Sequence, residues 1–158
     1  MKPLAENRRA SFDYSVSETF EAGIELLGHE VKSARDGQMN IGGSHAIIRG
    51  GEAWLINATI PPYQPLNAPE DYDPKRTRRL LLKKDEIQNL AGRTKEKYSL
   101  IPLRAYIKNN RIKIELGVGK PRKIHDKREL LKKRTIENEI RKNISSQFLF
   151  YLRSLYRI

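Results

Sequence analysis

The sequence predicts a mainly β protein with short helices: a small, closed or partly open antiparallel β-barrel followed by a basic tail. Three observations lead there. Two strand-forming runs are each folded back on a partner by a two-residue turn that accepts positive φ, Gly50-Gly51 and Asn109-Asn110. Ile112, Ile114, Leu116 and Val118 alternate with Lys113 and Glu115, so one face of that strand is buried. Residues 119–142 hold ten Lys or Arg against four Asp or Glu and no aromatic residue, so that segment cannot build a core.

Taken in order, Phe12 to Leu27 is rich in aromatic and β-branched residues and predicts a strand. Gly23 within it marks a bulge or a close backbone approach. Gly28 to Arg35 predicts a short helix ended by Asp36-Gly37. The first hairpin joins Ala46–Arg49 to Glu52–Ile56, and the second joins Leu103–Lys108 to Arg111–Leu116. Between them, Pro61 to Pro74 is a proline-rich loop long enough to be functional or disordered. Arg76 to Leu82 is a basic strand, half core and half contact, and Asp85 to Lys97 is a helix with Ile87, Leu90 and Ala91 inward. Closing such strands into a barrel removes the exposed sheet edges.

The body is expected to occupy residues 1–118 and the tail residues 119–158. Asp126 and Glu129 have capping-box spacing, with Asp126 as the N-cap, and Glu129–Lys133 and Glu137–Arg141 are favourable helical pairs. Leu130, Ile140, Ile144, Phe148, Tyr151 and Leu155 share one helical face. Because an isolated helix is marginal and its cations repel one another, the tail is expected to be disordered when free and helical when bound.

The formal net charge of +12 and the sequence pI near 10.0 predict a polyanionic partner whose attraction salt screens. A folded basic body with a basic arm suggests two grips on nucleic acid. The chain has no cysteine, so disulfides and thiolate zinc sites are excluded, and a reducing cytosol is compatible. No signal-peptide core and no membrane-length apolar run is present; Phe148 to Leu155 is short and interrupted by Arg153. Catalysis is poorly supported. The histidines are His29, His45 and His125, and a ribonuclease would need a poised His pair or a His with a carboxylate. No metal spacing or phosphate loop appears, so no cofactor and no metal is expected.

Further motifs occur in order: Asn7-Arg8-Arg9-Ala10, Tyr14, Glu21-Ala22-Gly23-Ile24, Gly28 with Glu30-Val31-Lys32-Ser33, and Asp36-Gly37 with Asn40. Asp73-Pro74 with Arg76-Thr77-Arg78, Leu80-Leu81-Leu82, Gly117-Val118 with Lys120, and His125-Asp126-Lys127-Arg128 follow. This series, spanning about residues 7 to 142, closely resembles the tmRNA-binding small protein B family, also called the SsrA-binding proteins.

The resemblance implies an oligonucleotide-binding-type (OB-like) barrel that holds the tRNA-like domain of tmRNA. It implies trans-translation in the cytoplasm. Alanyl-tmRNA, delivered with elongation factor Tu, enters the decoding site of a ribosome stalled on non-stop mRNA, and the tail occupies the empty mRNA channel. The expected species is a monomer that engages no membrane and is not an enzyme. Carried over by position, Glu21, Leu81 and Lys83 belong to the RNA-binding face, and Asn7, Arg9, Tyr14, Lys32, Arg35, Asn40, Arg76 and Arg78 line or support it. In the tail, His125 is expected to stack in the decoding centre, with Lys120, Lys123, Asp126, Lys127 and Arg128 as ribosome contacts. The chain departs from the family at Lys83, where some relatives have a polar amide, at Pro121-Arg122-Lys123, and in the apolar segment 143–158. Two alternatives are a barrel-type ribosomal or cold-shock-like protein, which would want exposed aromatic platforms, and a small basic ribonuclease.

Overall fold

The computed structural model of the protein describes residues 3–155, with side chains through Phe148. The chain divides into two units, Met1–Pro121 and Arg122–Ile158. In chain order the first contains β1 (Ala5–Glu6), α1 (Ala10–Asp13), β2 (Tyr14–Ile24), α2 (Gly28–Arg35), β3 (His45–Arg49), β4 (Glu52–Ile56), β5 (Arg78–Leu81), α3 (Lys84–Lys95), β6 (Ser99–Lys108) and β7 (Arg111–Pro121). The second is α4 (Ile124–Leu155).

All strand pairings are antiparallel. The order β6-β3-β4-β5-β2-β7 closes on itself because β7 also pairs with β6, giving a ring-like sheet, and β1 adds to β6. Local chemistry builds the hairpins. Gly50 and Gly51 have φ of 61° and 72°, and Asn109 and Asn110 have 50° and 59°. Left-handed residues at both turn positions match the twist of the flanking strands.

The interior follows the alternation. Ile112, Ile114, Leu116 and Val118 are at most 7 % exposed and join Ala22, Ile41, Leu55, Leu80, Leu90 and Leu100 in one core. Full burial of each large aliphatic side chain contributes about 1.5–3 kcal/mol. Leu90 is the residue through which α3 enters this core, while Ile87 and Ala91 are half-buried.

The helix ends show the same motif made from different residues. After α2, the Gly37 N–H donates to Ala34 O and the Gln38 N–H to Ser33 O, with Gly37 at φ 79°. After α3, the Lys97 N–H donates to Thr94 O and the Tyr98 N–H to Arg93 O, with Lys97 at φ 65°. Both are Schellman closures, and the second places a lysine where glycine is favoured.

Several boundaries differ from expectation. The first long strand begins at Tyr14, because residues 10–13 coil into α1. Its bulge lies between Val16 and Glu18, not at Gly23. Gly23 is instead a close approach: a Cβ there would stand 3.2 Å from Leu81 Cβ. The strand expected to end the body at Val118 continues to Pro121, with Gly119, Lys120 and Pro121 opposite Val16, Ser15 and Tyr14. A Cβ on Gly119 would stand 2.8 Å from the Ser15 carbonyl oxygen, so the two strands approach as only glycine allows. The 61–74 loop is tied down: the Tyr72 hydroxyl donates to Ile60 O at 2.7 Å, and the Ile60 N–H donates to Pro74 O.

In α4, the Lys127 N–H already donates to Lys123 O, so the helix starts two residues before the expected cap and Asp126 lies in its first turn. A carboxylate there favours the helix through the dipole rather than as the N-cap. Glu129 stands 3.7 Å from His125 Nδ1, and among the described residues neither the Glu129–Lys133 nor the Glu137–Arg141 pair forms. On α4, Ile140, Ile144 and Phe148 are each more than half exposed. The expectation that Tyr151 and Leu155 share their face lies outside the described side chains. No helix among the described residues is long and apolar enough to cross a membrane.

Candidate nucleic-acid interface

On β2, Ala22 and Gly23 are buried while Glu21 is exposed on the outer surface. Leu81 pairs with Gly23 across β5 and β2, and Lys113 of β7 pairs with Gly23 on the other side. Because Gly23 has no side chain, Leu81 sits over it and stays 51 % exposed. Lys83 follows at the entry to α3, its N–H bonded to Glu86 Oε2 at 2.8 Å. A single depression is lined by Glu21, Leu81, Leu82, Lys83, Glu86 and Lys113. A neighbouring hollow shares Leu81 and Lys113 and adds Gly23, Ile24, Leu26, Val31, Arg35 and Asn110 to Ile112. Arg35 is aimed across it by hydrogen bonds to Asn110 O and Oδ1 at 3.0 and 2.9 Å. Lys32 is exposed one turn away on α2.

The electrostatics are mixed by design. The Tyr106 hydroxyl donates to Glu21 Oε2 at 2.6 Å, and Lys108 Nζ donates to the same oxygen at 2.9 Å. These two bonds, Tyr106's first, hold the Glu21 carboxyl below the usual carboxylate range against a small opposing effect of burial. Burial and the bond to Glu21 push the Tyr106 phenol up to about 12. The surface therefore offers an apolar floor at Leu81, cations at Arg35, Lys83, Lys108 and Lys113, and one ionised acceptor. Unpaired nucleotides need all three: a surface for a base, charge for phosphate, and an acceptor for base or ribose donors.

A second group of the expected residues lies elsewhere. Asn7, Arg9 and Tyr14 line a hollow with His45, Tyr98 and Ser99. Asn7 Nδ2 donates to Pro102 O at 3.2 Å, and Arg9 is exposed with Nε 3.7 Å from Asp13. Tyr14 is seven residues from Glu21 on β2, roughly 23 Å of extended strand, so these are separate sites. Asn40 belongs to the loop before β3, where its Oδ1 accepts the Gly42 N–H and its backbone bridges Thr59. Lys120, expected in the tail, is a β7 residue whose Nζ stands 4.6 Å from the centroid of the Tyr98 ring.

Arg78, expected to line or support the RNA-binding face, lies in the interior and lines nothing. It is fully buried, with Nη2 2.8 Å from Glu30 Oε1 and further bonds to the carbonyls of Ala58, Arg76 and Pro74. Arg76 is partly exposed, but Nε and Nη2 are both held by Glu30 at 2.8 and 2.6 Å. Glu30 also accepts the Leu27 N–H, and the Tyr72 hydroxyl oxygen stands 3.0 Å from its Oε1. Burial pushes its carboxyl up, yet Arg76, the Leu27 N–H and Arg78 outweigh that and hold it at about 2. The β5 strand alternates strictly, so Arg78 and Leu80 face inward while Arg79 and Leu81 face outward, and Arg79 pairs with Glu52 at 2.7 Å. Arg76 and Arg78 thus support the interface by fixing α2 and the 61–74 loop to β5.

Within α4 and the residue before it, Lys123, His125, Asp126 and Arg128 are exposed and Lys127 is half-buried. Sequence reasoning missed Tyr106, Lys108, Lys113 and Glu30. The first three sit at outward positions of the Asn109-Asn110 hairpin, where the alternation pointed, but nothing local linked them to Glu21.

A family model described as SmpB protein matches residues 4–146. The SsrA-binding protein of Synechococcus elongatus is 46 % identical over 145 residues, covering 91 % of this chain and 94 % of its own. That of Thermosynechococcus vestitus is 47 % identical over 141 residues, covering 89 % and 93 %. A chain from the solved structure described as "tmRNA-SmpB: a journey to the center of the bacterial ribosome" superposes with a TM-score of 0.62 at 42 % identity, covering 75 % of this chain and 84 % of that one.

Proposed function

The chain belongs to the SmpB protein family, and from that premise we propose that it is the RNA-binding partner of tmRNA in trans-translation. It binds tmRNA and works on the ribosome. The ring-like body takes the tRNA-like domain of tmRNA through the Glu21, Leu81 and Lys83 depression, with Arg35 and Lys113 beside it. The observation that carries this reading is that these three residues, separated by about sixty positions in sequence, line one hollow with an apolar floor and a cationic rim.

The finer steps follow the chemistry of the second unit. We divide the labour at Pro121. The cations of residues 122–134 repel one another in free solution, and rRNA phosphates relieve that repulsion, so the tail orders as it enters the mRNA channel of a stalled ribosome. His125 and Asp126 in the first turn of α4 are suited to the decoding centre, His125 by stacking and Asp126 by orienting that turn. Elongation factor Tu delivers the complex, and the protein acts as a cytoplasmic monomer. The role is binding rather than catalysis; the three histidines lie on three separate elements, α2, β3 and α4.

The test is to recover the RNA bound to the full-length protein in cells and sequence it. A dominant tmRNA is expected. Bulk rRNA or mixed mRNA would replace this reading with a general RNA-binding barrel, and cleavage ends at the bound sites would make the protein a ribonuclease.

A further inference from the structure

Glu21 is held by two donors from one strand, and both go to the same oxygen. The Tyr106 hydroxyl lies 2.6 Å and Lys108 Nζ 2.9 Å from Oε2. Among the described residues, Oε1 has no hydrogen-bond partner. The carboxylate stands between two hollows, one lined by Leu81, Lys83 and Lys113 and the other by Pro3, Arg104, Tyr106 and Lys108. A glutamate on an exposed strand otherwise samples several rotamers at little cost. Here a rigid aromatic ring and a lysine select one of them, and both lone pairs of Oε2 are consumed.

We propose that Tyr106 and Lys108 are positioning residues for Glu21: they fix the carboxylate so that Oε1 alone reads one hydrogen-bond donor on an unpaired nucleotide whose base packs on Leu81. This rests on the tmRNA-binding reading above and deepens it. With Oε2 saturated, Glu21 cannot take the bidentate amidine edge of a guanine. It accepts a single donor, from a ribose 2′-hydroxyl or one base N–H. Tyr106 acts through Glu21 and need not touch the RNA.

A double-mutant cycle on the full-length protein decides it, with the tRNA-like domain of tmRNA as the probe. Tyr106→Phe keeps the ring and removes only the hydroxyl, and it is expected to weaken binding about tenfold in the wild-type background. In a Glu21→Ala background the same change is expected to cost less than about twofold, because the residue it positions is gone. An equal loss in both backgrounds would mean that Tyr106 contacts RNA directly, and no loss in either would end the proposal. Single 2′-deoxy substitutions in the probe then identify the donor. One position that weakens wild type but not Glu21→Ala assigns a ribose, and the absence of any such position assigns a base N–H.

A second readout does not depend on RNA. The Glu21 side-chain carboxyl is followed by carbon NMR as pH falls. The titratable and charged groups facing it are the neutral phenol of Tyr106, Lys108 and Arg104 of β6, Lys113 of β7, and Lys83 with Glu86 at the start of α3. Tyr106→Phe is expected to raise its midpoint toward the ordinary carboxylate range while the other carboxyls stay put. An unmoved midpoint overturns the positioning role. If the wild type does not bind the tRNA-like domain at all, the functional reading fails, and the NMR titration still judges the positioning.

Discussion

Replacing Glu30 by alanine is expected to be among the most damaging single changes outside the aliphatic core. Glu30 and Arg78 are both fully buried, and Arg76 is partly so. The variant leaves the Arg78 guanidinium in the interior with carbonyl partners but no counter-charge, and it removes the Glu30 contact of the Tyr72 hydroxyl, which keeps its bond to Ile60 O. Removing one partner of a buried ion pair costs about 3–5 kcal/mol, a large share of the ~5–15 kcal/mol that stabilises a typical domain. At roughly 4 °C per kcal/mol for a body of this size, the midpoint of thermal unfolding falls by about 12–20 °C. Trp54, the single tryptophan, lies on β4 and reports urea unfolding by fluorescence. The pH dependence has a definite sign. The carboxyl is at about 2 in the folded protein against 4.5 for an unperturbed glutamate. Its contribution is therefore complete above about pH 4.5 and fades as pH falls toward about 2. Wild type is expected to lose stability across that window, and Glu30→Ala to show a shallower slope there. A loss below ~1 kcal/mol at neutral pH, with an unchanged acid profile, would refute the argument that this cluster holds α2 and the loop to β5.

Four further outcomes follow from the geometry. Lys97→Gly relieves a left-handed lysine at the end of α3 and should stabilise the protein by about 1 kcal/mol in urea unfolding, with RNA binding unchanged. Truncation after Arg122 should retain tmRNA affinity in a gel-shift assay at moderate salt while abolishing the tagging of stalled nascent chains. Truncation after Val118 should also weaken affinity and stability, because it strips Gly119, Lys120 and Pro121 from β2. Glu21→Arg should weaken tmRNA binding although it adds positive charge; tighter binding, with the fold intact by circular dichroism, would reduce the surface to plain electrostatics.

What the sequence determined by itself is whatever closes within a few residues. The Gly50-Gly51 and Asn109-Asn110 turns, the inward run from Ile112 to Val118 and the α2 stop at Gly37 depend on local φ, on strand alternation and on hydrogen bonds spanning six residues or fewer. The basic tail was equally legible, since a run of like charge needs no partner to be seen. Family motifs added Glu21, Leu81 and Lys83 as a group, but not their arrangement. Even local signals left a choice at Asp126, where two start positions compete for the same amides and the helix takes the earlier one. The tertiary structure alone decided which cations are structural. Arg76, Arg78 and Arg79 read alike in sequence, and only the pleat of β5 and Glu30, 48 residues from Arg78, turn one inward and leave the next outside. It also decided how Glu21 is held, because Tyr106 is 85 residues away and reaches it only once β7 has paired with both β2 and β6. A charge in a sequence carries no record of its solvent exposure. Whether it meets water, RNA or a buried partner is settled by ring closure, a non-local event in which each strand's register fixes the surroundings of the others.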